Sequence, residues 1–447
     1  MSDKLLDVCE RVLSRVPSEA EAEAEVTFST GTDALTRFAT SFIHQNVADA
    51  AQRVHLRVAV DGRVAEAVGN QTDDDALDRL VRSATDAARL RPIDPGWPGL
   101  APPAPAPTVD HWDDATARAE PDARADRIGA FVSAADGLES AGFCSTTGET
   151  AAFANSAGQR LTGRASTAII DGIARTGTSD GSGRAASVRI DDLDGGVVGA
   201  AAVRRARESA SAGDLQPGRY EVVLEPACVV DVLTFLALYG FNGRAVEEGR
   251  SFARLGEAQF DASISLADDV EHPMAVGIGF DAEGTPKRRV ELVREGVTSG
   301  LVHDRHTAKA LGAESTGNAV AGAGPWGAMP ANLVLEPGAA SRDDLIASVG
   351  RGVLVTDFWY TRILDPRTQV VTGLTRNGVW LIEDGRVVRP VTNMRFTQSF
   401  LEALSPGNVR GVGSEPTLVG GAVFGFGAYV VPALHLASWN FTGGAKG

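Results

Sequence analysis

A group of polar side chains follows a predicted β-hairpin in the second half of the chain. The segment HDRHTA contains His303, Asp304, Arg305 and Thr307. His303 and His306 are three residues apart, and on a helix this spacing would bring two imidazoles to one face, where they could bind a metal ion. No third ligand lies nearby in the sequence, so contact with a substrate or another subunit, or a purely structural turn, are the alternatives. Asp304 could cap a short helix, and Arg305 could pair with a carboxylate.

A long loop rich in glycine comes next. Its sequence, GNAVAGAGPWGAMPAN (317–332), follows neither the period of a helix nor that of a strand. Loops of this kind occur at functional sites and also on plain solvent-exposed surfaces. The pattern leaves both alternatives open for Asn318 and Trp326.

The middle of the chain contains an apolar helix. In PACVVDVLTFLALYG, apolar residues recur at helical spacing and predict a buried face: Val229, Val232, Leu233, Leu236 and Tyr239. The preceding Cys228 would need a histidine within hydrogen-bond reach to act as a nucleophile, and no sequence pattern supplies one. We therefore expect this helix to be structural.

The charge of the chain is strongly one-sided. Its 447 residues include 42 Lys and Arg against 58 Asp and Glu, which gives a formal net charge of −16. Nucleic-acid binding needs the opposite charge, so it is not expected. Three widely spaced cysteines, Cys9, Cys144 and Cys228, indicate a reducing compartment. Because the N-terminal stretch lacks the apolar core of a signal peptide and no apolar run is long enough to cross a bilayer, the protein is expected to be cytoplasmic, without membrane binding.

Periodicity divides the chain into two predicted domains. Residues 1–214 show strand and helix patterns, with a hairpin turn at Asp61-Gly62 and a proline-rich extended tether over 92–107. Residues 215–447 are mostly strand-like, with short helices predicted at Thr307–Leu311, Ser341–Val349 and Thr397–Leu404. The predicted fold class is α+β: an N-terminal antiparallel sheet covered by helices, followed by a mostly β C-terminal domain with short helices.

Three segments of the sequence resemble the TldD/PmbA family: LTRFATSFIHQN (35–46), the hairpin and polar turn of 280–318, and VVTGLTRNGVWLIEDGRVVRPV (370–391). Metal-binding members carry His-Glu-x-x-x-His just downstream of mid-chain. There, two histidines and a distal cysteine hold the ion, and the glutamate handles the proton of the bound water. The resemblance aligns Thr234, Phe235 and Tyr239 with the first histidine, the glutamate and the second histidine, and no cysteine follows Cys228. It therefore implies no metal and no catalytic residue in this chain, as in the metal-free PmbA (TldE) type.

The same resemblance implies a heterodimer. A TldD-type subunit would supply zinc and the general base, and this chain would shape the cleft and position a peptide substrate. Six residues of the two loops become candidates for contact with substrate or partner: His303, Asp304, Arg305, Thr307, Asn318 and Trp326. Two alternatives stay open: a peptide-binding or regulatory module without a peptidase, and a heterodimer that hydrolyses an amide bond in a specialised metabolite.

Overall fold

The first half of the chain forms one antiparallel sheet. The computed structural model describes residues 2–17, 22–322, 326–420 and 427–444. Six strands lie in the order β3-β2-β1-β4-β5-β6; they are β1 (Ala22–Ala39), β2 (Phe42–Val60), β3 (Arg63–Gly69), β4 (Glu139–Asn155), β5 (Arg160–Arg175) and β6 (Asp180–Ser187). The predicted turn between β2 and β3 is confirmed, and its residues Asp61 and Gly62 have the positive φ angles, 49° and 71°, that a tight hairpin turn requires.

Helices pack on this sheet in two groups. They are α1 (Ser2–Leu13), α2 (Asp74–Leu90), α3 (Asp114–Ala117), α4 (Pro121–Ala134) and α5 (Gly195–Glu208), with a 3-10 turn at Ile190–Asp192. The first two contribute Cys9 and Leu77 to a core shared with Leu56 of the sheet. The core under α4 and α5 contains Phe38 and Phe131. This arrangement confirms the predicted antiparallel sheet covered by helices.

Strand β2 extends well beyond the strand that pairs with its outer edge. β3 ends opposite Val54, so residues 42–53 pair with β1 alone among the described residues. All twelve of these residues are exposed. Their outer backbone N–H and C=O groups form an open sheet edge, the kind of feature to which an extended peptide or a partner strand can add.

The second half of the chain forms two further sheets, one of them closed. Its strands are β7 (Gly218–Leu224), β8 (Leu266–Asp268), β9 (Val290–Arg294), β10 (Val297–Thr298), β11 (Leu333–Leu335), β12 (Arg351–Asp365), β13 (Val370–Glu383), β14 (Arg386–Pro390), β15 (Met394–Ser399), β16 (Val409–Val412), β17 (Thr417–Gly420), β18 (Ala428–Val431) and β19 (Leu434–Gly444). The open sheet has the order β10-β9-β8-β11-β18-β17. In the other sheet β12, β7, β19, β15 and β13 lie side by side, and β13 pairs again with β12, which closes a five-stranded barrel. β14 and β16 extend it by pairing with β13 and β19.

Short helices surround the barrel and complete its core: α6 (Pro226–Tyr239), α7 (Gly243–Glu247), α8 (Arg305–Leu311), α9 (Arg342–Ala347) and α10 (Phe400–Ala403). The core is rich in aromatic rings, and Phe358, Phe396, Phe400 and Trp439 contact one another with centroids 4.5 to 6.4 Å apart. The predicted helix over Thr397–Leu404 is wrong in its first turn, because residues through Ser399 pair with β13 as part of β15.

The proline-rich segment runs from α2 to α3, within the first half of the chain, without regular structure. No helix or strand lies between Leu90 and Asp114. Lys309 Nζ of α8 donates to the carbonyl of Trp97 at 2.6 Å, so the segment lies against the C-terminal half. The domain boundary predicted near Leu215 stays a prediction; strand β7 begins at Gly218.

Candidate functional site

The three positions of α6 that align with a metal motif carry side chains packed inside the protein. Thr234 Oγ1 donates to the carbonyl of Val230 at 2.8 Å. Phe235 is 1% exposed, stacks on Tyr239 with centroids 6.3 Å apart, and meets Phe400 edge-on at 5.9 Å. This turn of the helix therefore belongs to the apolar core. In the described part of the chain, neither α6 nor any other helix is long and apolar enough to cross a membrane.

The donor groups on α6 do not suit zinc. Zinc sites are built from thiolate, imidazole and carboxylate ligands. The helix offers Cys228, whose Sγ lies 3.6 Å from the carbonyl oxygen of Val355, and Asp231, whose carboxyl lies 3.4 Å from Thr361 Oγ1. Burial raises the pKa of Cys228, which keeps the thiol protonated. Among the described residues no three His, Cys, Asp or Glu side chains are grouped so that they could hold a metal ion. That this chain binds no metal stays a prediction.

The HDRHTA segment forms a capped helix start. Asp304 Oδ1 accepts the backbone N–H and the hydroxyl of Thr307, both at 2.7 Å, so the predicted cap is confirmed. Because α8 begins at Arg305, His303 precedes the helix, and the two histidines do not share a helix face. His303 is buried against Gly243, and burial lowers the pKa of its imidazole.

Arg305 fastens the proline-rich segment to α8. Its guanidinium donates to the carbonyl oxygens of Leu100 at 2.8 Å and of Gly99 at 3.3 Å. The expectation that this side chain pairs with a carboxylate is therefore wrong. Instead, its backbone N–H donates to Glu283 Oε2 at 2.8 Å, because the carboxylate lies at the N-terminus of α8.

The two candidates in the glycine-rich loop have different surroundings. Asn318 is buried; its amide donates to Asp268 at 2.6 Å and to the carbonyl of Met329 at 3.2 Å, and these bonds hold the loop in place. Trp326 is 45% exposed and meets the ring of Tyr239 edge-on at 6.2 Å. Trp326 thus joins the loop to the end of α6, while residues 323–325 of the loop lie outside the described residues.

A cleft of about 890 Å³ with charged side chains on its floor lies between the N-terminal sheet, the proline-rich segment and the loops around α8. Its volume is in the range of ligand-binding pockets. β1, β2 and β3 provide its floor, residues 91–98 one wall, and Glu283, His306 and residues 319–322 the other. Of the six residues predicted to contact substrate or partner, Asp304 lines this cleft. The other five, which are His303, Arg305, Thr307, Asn318 and Trp326, are not among its described walls.

The floor of the cleft contains an ion-pair network, formed by Arg57, Glu25 and Glu283, that joins the two halves of the chain. Arg57 Nη2 lies 2.5 Å from Glu25 Oε1 and 3.1 Å from Glu283 Oε1. The guanidinium also lies over the ring of Trp97, 5.0 Å from its centroid. Trp97 is held in turn by Glu23, whose carboxylate accepts its indole N–H at 2.6 Å. We call the three residues Arg57, Glu25 and Glu283 the Arg57 network.

Burial shifts the acids of this region toward their neutral forms. It raises the pKa of Glu25 to about 8, an effect that Arg57 opposes and Glu283 reinforces. Asp281 lies behind the network and is also buried, which raises its pKa to about 7 although three backbone N–H groups donate to it at 2.9 Å. The free-energy cost of removing the carboxylates of Glu25 and Asp281 from water is therefore larger than the stabilisation that the single guanidinium provides.

Sequence analysis missed the Arg57 network. Arg57 and Glu283 are 226 positions apart, and each sits among charges that look like a solvated face. One signal was available in FDAEG. Gly284 follows Glu283 with φ at +69°, and a Cβ there would lie 2.1 Å from the ring of Phe153, so this turn requires glycine to approach the N-terminal sheet.

Comparison with known proteins identifies relatives of both sequence and fold. A family model described as the PmbA/TldA metallopeptidase C-terminal domain matches residues 217–443. A metalloprotease from Methanothermobacter thermautotrophicus is 31% identical over 214 residues, which cover 44% of this chain and 43% of that protein. A metalloprotease TldD homolog from Haemophilus influenzae is 26% identical over 209 residues, which cover 45% and 43%. The matches thus span less than half the length of these curated relatives. The crystal structure of TldE from Thermococcus kodakarensis has the same fold, with a TM-score of 0.87 at 20% identity over 98% of this chain and 99% of that one.

Proposed function

This chain belongs to the PmbA/TldD family, and on that premise we propose that it is the non-catalytic, metal-free subunit of a heterodimeric metallopeptidase. In this proposal a TldD-type partner supplies zinc and the general base. The present chain shapes the cleft and positions a peptide, which lowers the entropic cost of bringing the scissile bond to the metal. We also propose a cytoplasmic location, which fits three buried free thiols.

The observation that carries the proposal is the packing of α6. A metallopeptidase needs ligands and a proton-transferring carboxylate at one place. At the aligned positions Thr234 bonds to its own helix, and Phe235 and Tyr239 stack on each other. A phenyl ring has no proton to exchange, and the buried position of Phe235 leaves no room for water at that point.

Two further features support a role in peptide binding. The cleft has charged side chains on its floor and lies next to the loop of Trp326, which contacts the end of α6. The open edge of β2 offers a row of backbone donors and acceptors to an extended chain. Recognition through the backbone favours unfolded peptides over folded proteins, since folded proteins have few free strands.

The first experiment concerns the chain alone and in complex. Purified by itself, it should contain far less than one zinc per chain and should not hydrolyse an unfolded peptide. Co-expressed with a relative that carries His-Glu-x-x-x-His, it should gain activity. Thr234→Ala in this chain should leave the activity of the complex unchanged, whereas alanine at the first histidine of the partner's motif should abolish it. Stoichiometric zinc with turnover by the isolated chain would end the proposal.

The second experiment identifies the partner. An affinity-tagged chain should recover a relative that bears the metal motif. Recovery of a homodimer or a monomer bound to some other protein would favour the peptide-binding or regulatory alternative. If the complex forms but cleaves no peptide, hydrolysis of amide bonds in small metabolites is the reaction to assay next.

A further inference from the structure

The cleft floor has more carboxyl groups than cationic groups. Glu25 and Glu283 share the single guanidinium of Arg57, and Asp281 adds a third carboxyl behind them. Two other basic side chains of the cleft are engaged elsewhere: His55 lies 3.2 Å from Glu66, and Arg244 lies 3.0 Å from Glu247. Arg91, on the wall formed by residues 91–98, is exposed to solvent.

One oxygen of this cluster has no partner. The side chain of Glu25 is 4% exposed, and its Oε1 receives Arg57, but its Oε2 accepts no hydrogen bond from the described residues. Arg57 Nε is also without an acceptor there. A buried polar atom left unpaired is destabilising, so the free oxygen of Glu25 in this cleft points to a donor group that arrives from outside.

The residues around Glu25 indicate which kind of ligand would fit. A hard cation such as Ca²⁺ needs six to eight oxygen ligands, and the oxygens of Asp281 are already taken by backbone N–H groups. A primary ammonium needs only a few acceptors, because it is a compact charge with three donors. Apolar side chains of Val64, Ile93 and Pro95 also line the cleft and suit the alkyl part of such a ligand.

We propose that the cleft binds a protonated primary amine of a peptide, either its α-amino group or a lysine side chain, with Glu25 as the main acceptor and Glu283 beside it. The inference rests on the proposed function in that the ligand is a peptide. It names the part of the substrate that this subunit recognises. The ammonium would favour the ionised form of Glu25 and pair its free oxygen.

Four peptides of one sequence test the proposal on the isolated wild-type chain by isothermal titration calorimetry. They carry a free or an acetylated N-terminus combined with lysine or norleucine at one inner position. The peptide with neither amine should bind at least about tenfold more weakly than the best of the others, since a charge-assisted hydrogen bond contributes roughly 1.5–3 kcal/mol. The two singly modified peptides show which amine is used. Equal affinity for all four, or no binding of any at millimolar concentration, would overturn the proposal.

Variants of the chain assign the acceptor. Glu25→Gln should weaken binding of the preferred peptide by about tenfold or more. Glu66→Gln is the matched control, because it removes the same charge from the same cleft at a carboxylate that is 46% exposed and paired with His55; its effect should stay below about threefold. Equal losses in the two variants would contradict the assignment. If Glu25→Gln does not fold, the comparison of peptides on the wild-type chain still decides.

These results are independent of the partner experiments. Amine selectivity is measured without a second subunit, whereas the proposed function is judged by zinc content and by recovery of a metal-bearing relative. If the chain selects amines but recovers no such relative, the amine-binding site is supported and the proposed heterodimer is refuted.

Discussion

Arg57→Met is the sharpest test of the Arg57 network as a bond between the two halves of the chain. Arg57 is 16% exposed, and the variant leaves the carboxyl groups of Glu25 and Glu283 buried without their cation. Removing one partner of a buried pair typically costs about 3–5 kcal/mol. The unfolding entropy of a 447-residue chain is about 0.9 kcal/mol per kelvin at roughly 2.1 cal/mol/K per residue, so we expect the melting temperature to fall by about 3–5 °C.

Differential scanning calorimetry measures this shift in melting temperature. Two further variants show whether the shift comes from the Arg57 network. Arg91→Met is the matched control, since Arg91 lines the same cleft but is exposed, and it should change the melting temperature by less than about 1 °C. In the double variant Arg57→Met with Glu283→Gln, the loss should be smaller than the sum of the two single losses, because both partners are removed together. A loss below about 1 °C in Arg57→Met, or strict additivity in the double variant, would refute the reasoning.

Three other predictions concern protonation, thiols and the core. Because the pKa of Glu25 is about 8 in the folded protein against 4.5 as its ordinary value, folding binds a proton there, and its contribution to stability falls as pH rises through that window. Glu25→Gln should therefore flatten the decline of melting temperature between about pH 5 and pH 8, and equal slopes in variant and wild type would contradict this. The three cysteines are buried, and burial raises the pKa of Cys9 to about 12 and of Cys144 to about 11, so Ellman's reagent should find no reactive thiol in the native chain and three after denaturation. Rapid labelling of any native thiol would oppose that prediction. Trp439→Ala should cost about 3–5 kcal/mol because the ring is fully buried among aromatic neighbours. Trp359→Ala should cost clearly less, since Trp359 is 50% exposed; calorimetry compares the two, and equal losses would argue against the core described above.

Local patterns in the sequence predicted local structure well. The Asp61-Gly62 turn and the cap at Asp304 each depend on residues close together in the chain. The apolar period of α6 likewise predicted a buried helix. The same logic failed at Thr397–Leu404, where pairing with β13 outweighed helical periodicity.

The parts of the site that the sequence did not predict depend on long-range pairing. Arg57 meets Glu283 across 226 positions, and Arg305 meets carbonyl groups near position 100, which have no side-chain signature. The pairing of β12 with β13, which closes the barrel, could not be predicted either, because the apolar pattern of a strand does not specify which strand pairs with it. Only the family resemblance supplied information at that range, and it concerned α6 rather than the Arg57 network.

Adjacency of β7 and β19 has a consequence for how the protein emerges from the ribosome. Gly218 lies opposite Phe441, so the barrel cannot close until translation has added β19. At about 5–20 residues per second, the intervening stretch takes roughly 10–45 s to synthesise. Strands β1 to β6 all lie between Ala22 and Ser187, so their sheet can assemble meanwhile. Nascent chains should therefore carry a folded N-terminal sheet and an unpaired, aggregation-prone barrel segment that depends on chaperones, and deletion of β19 should be far more damaging than its 11 residues suggest.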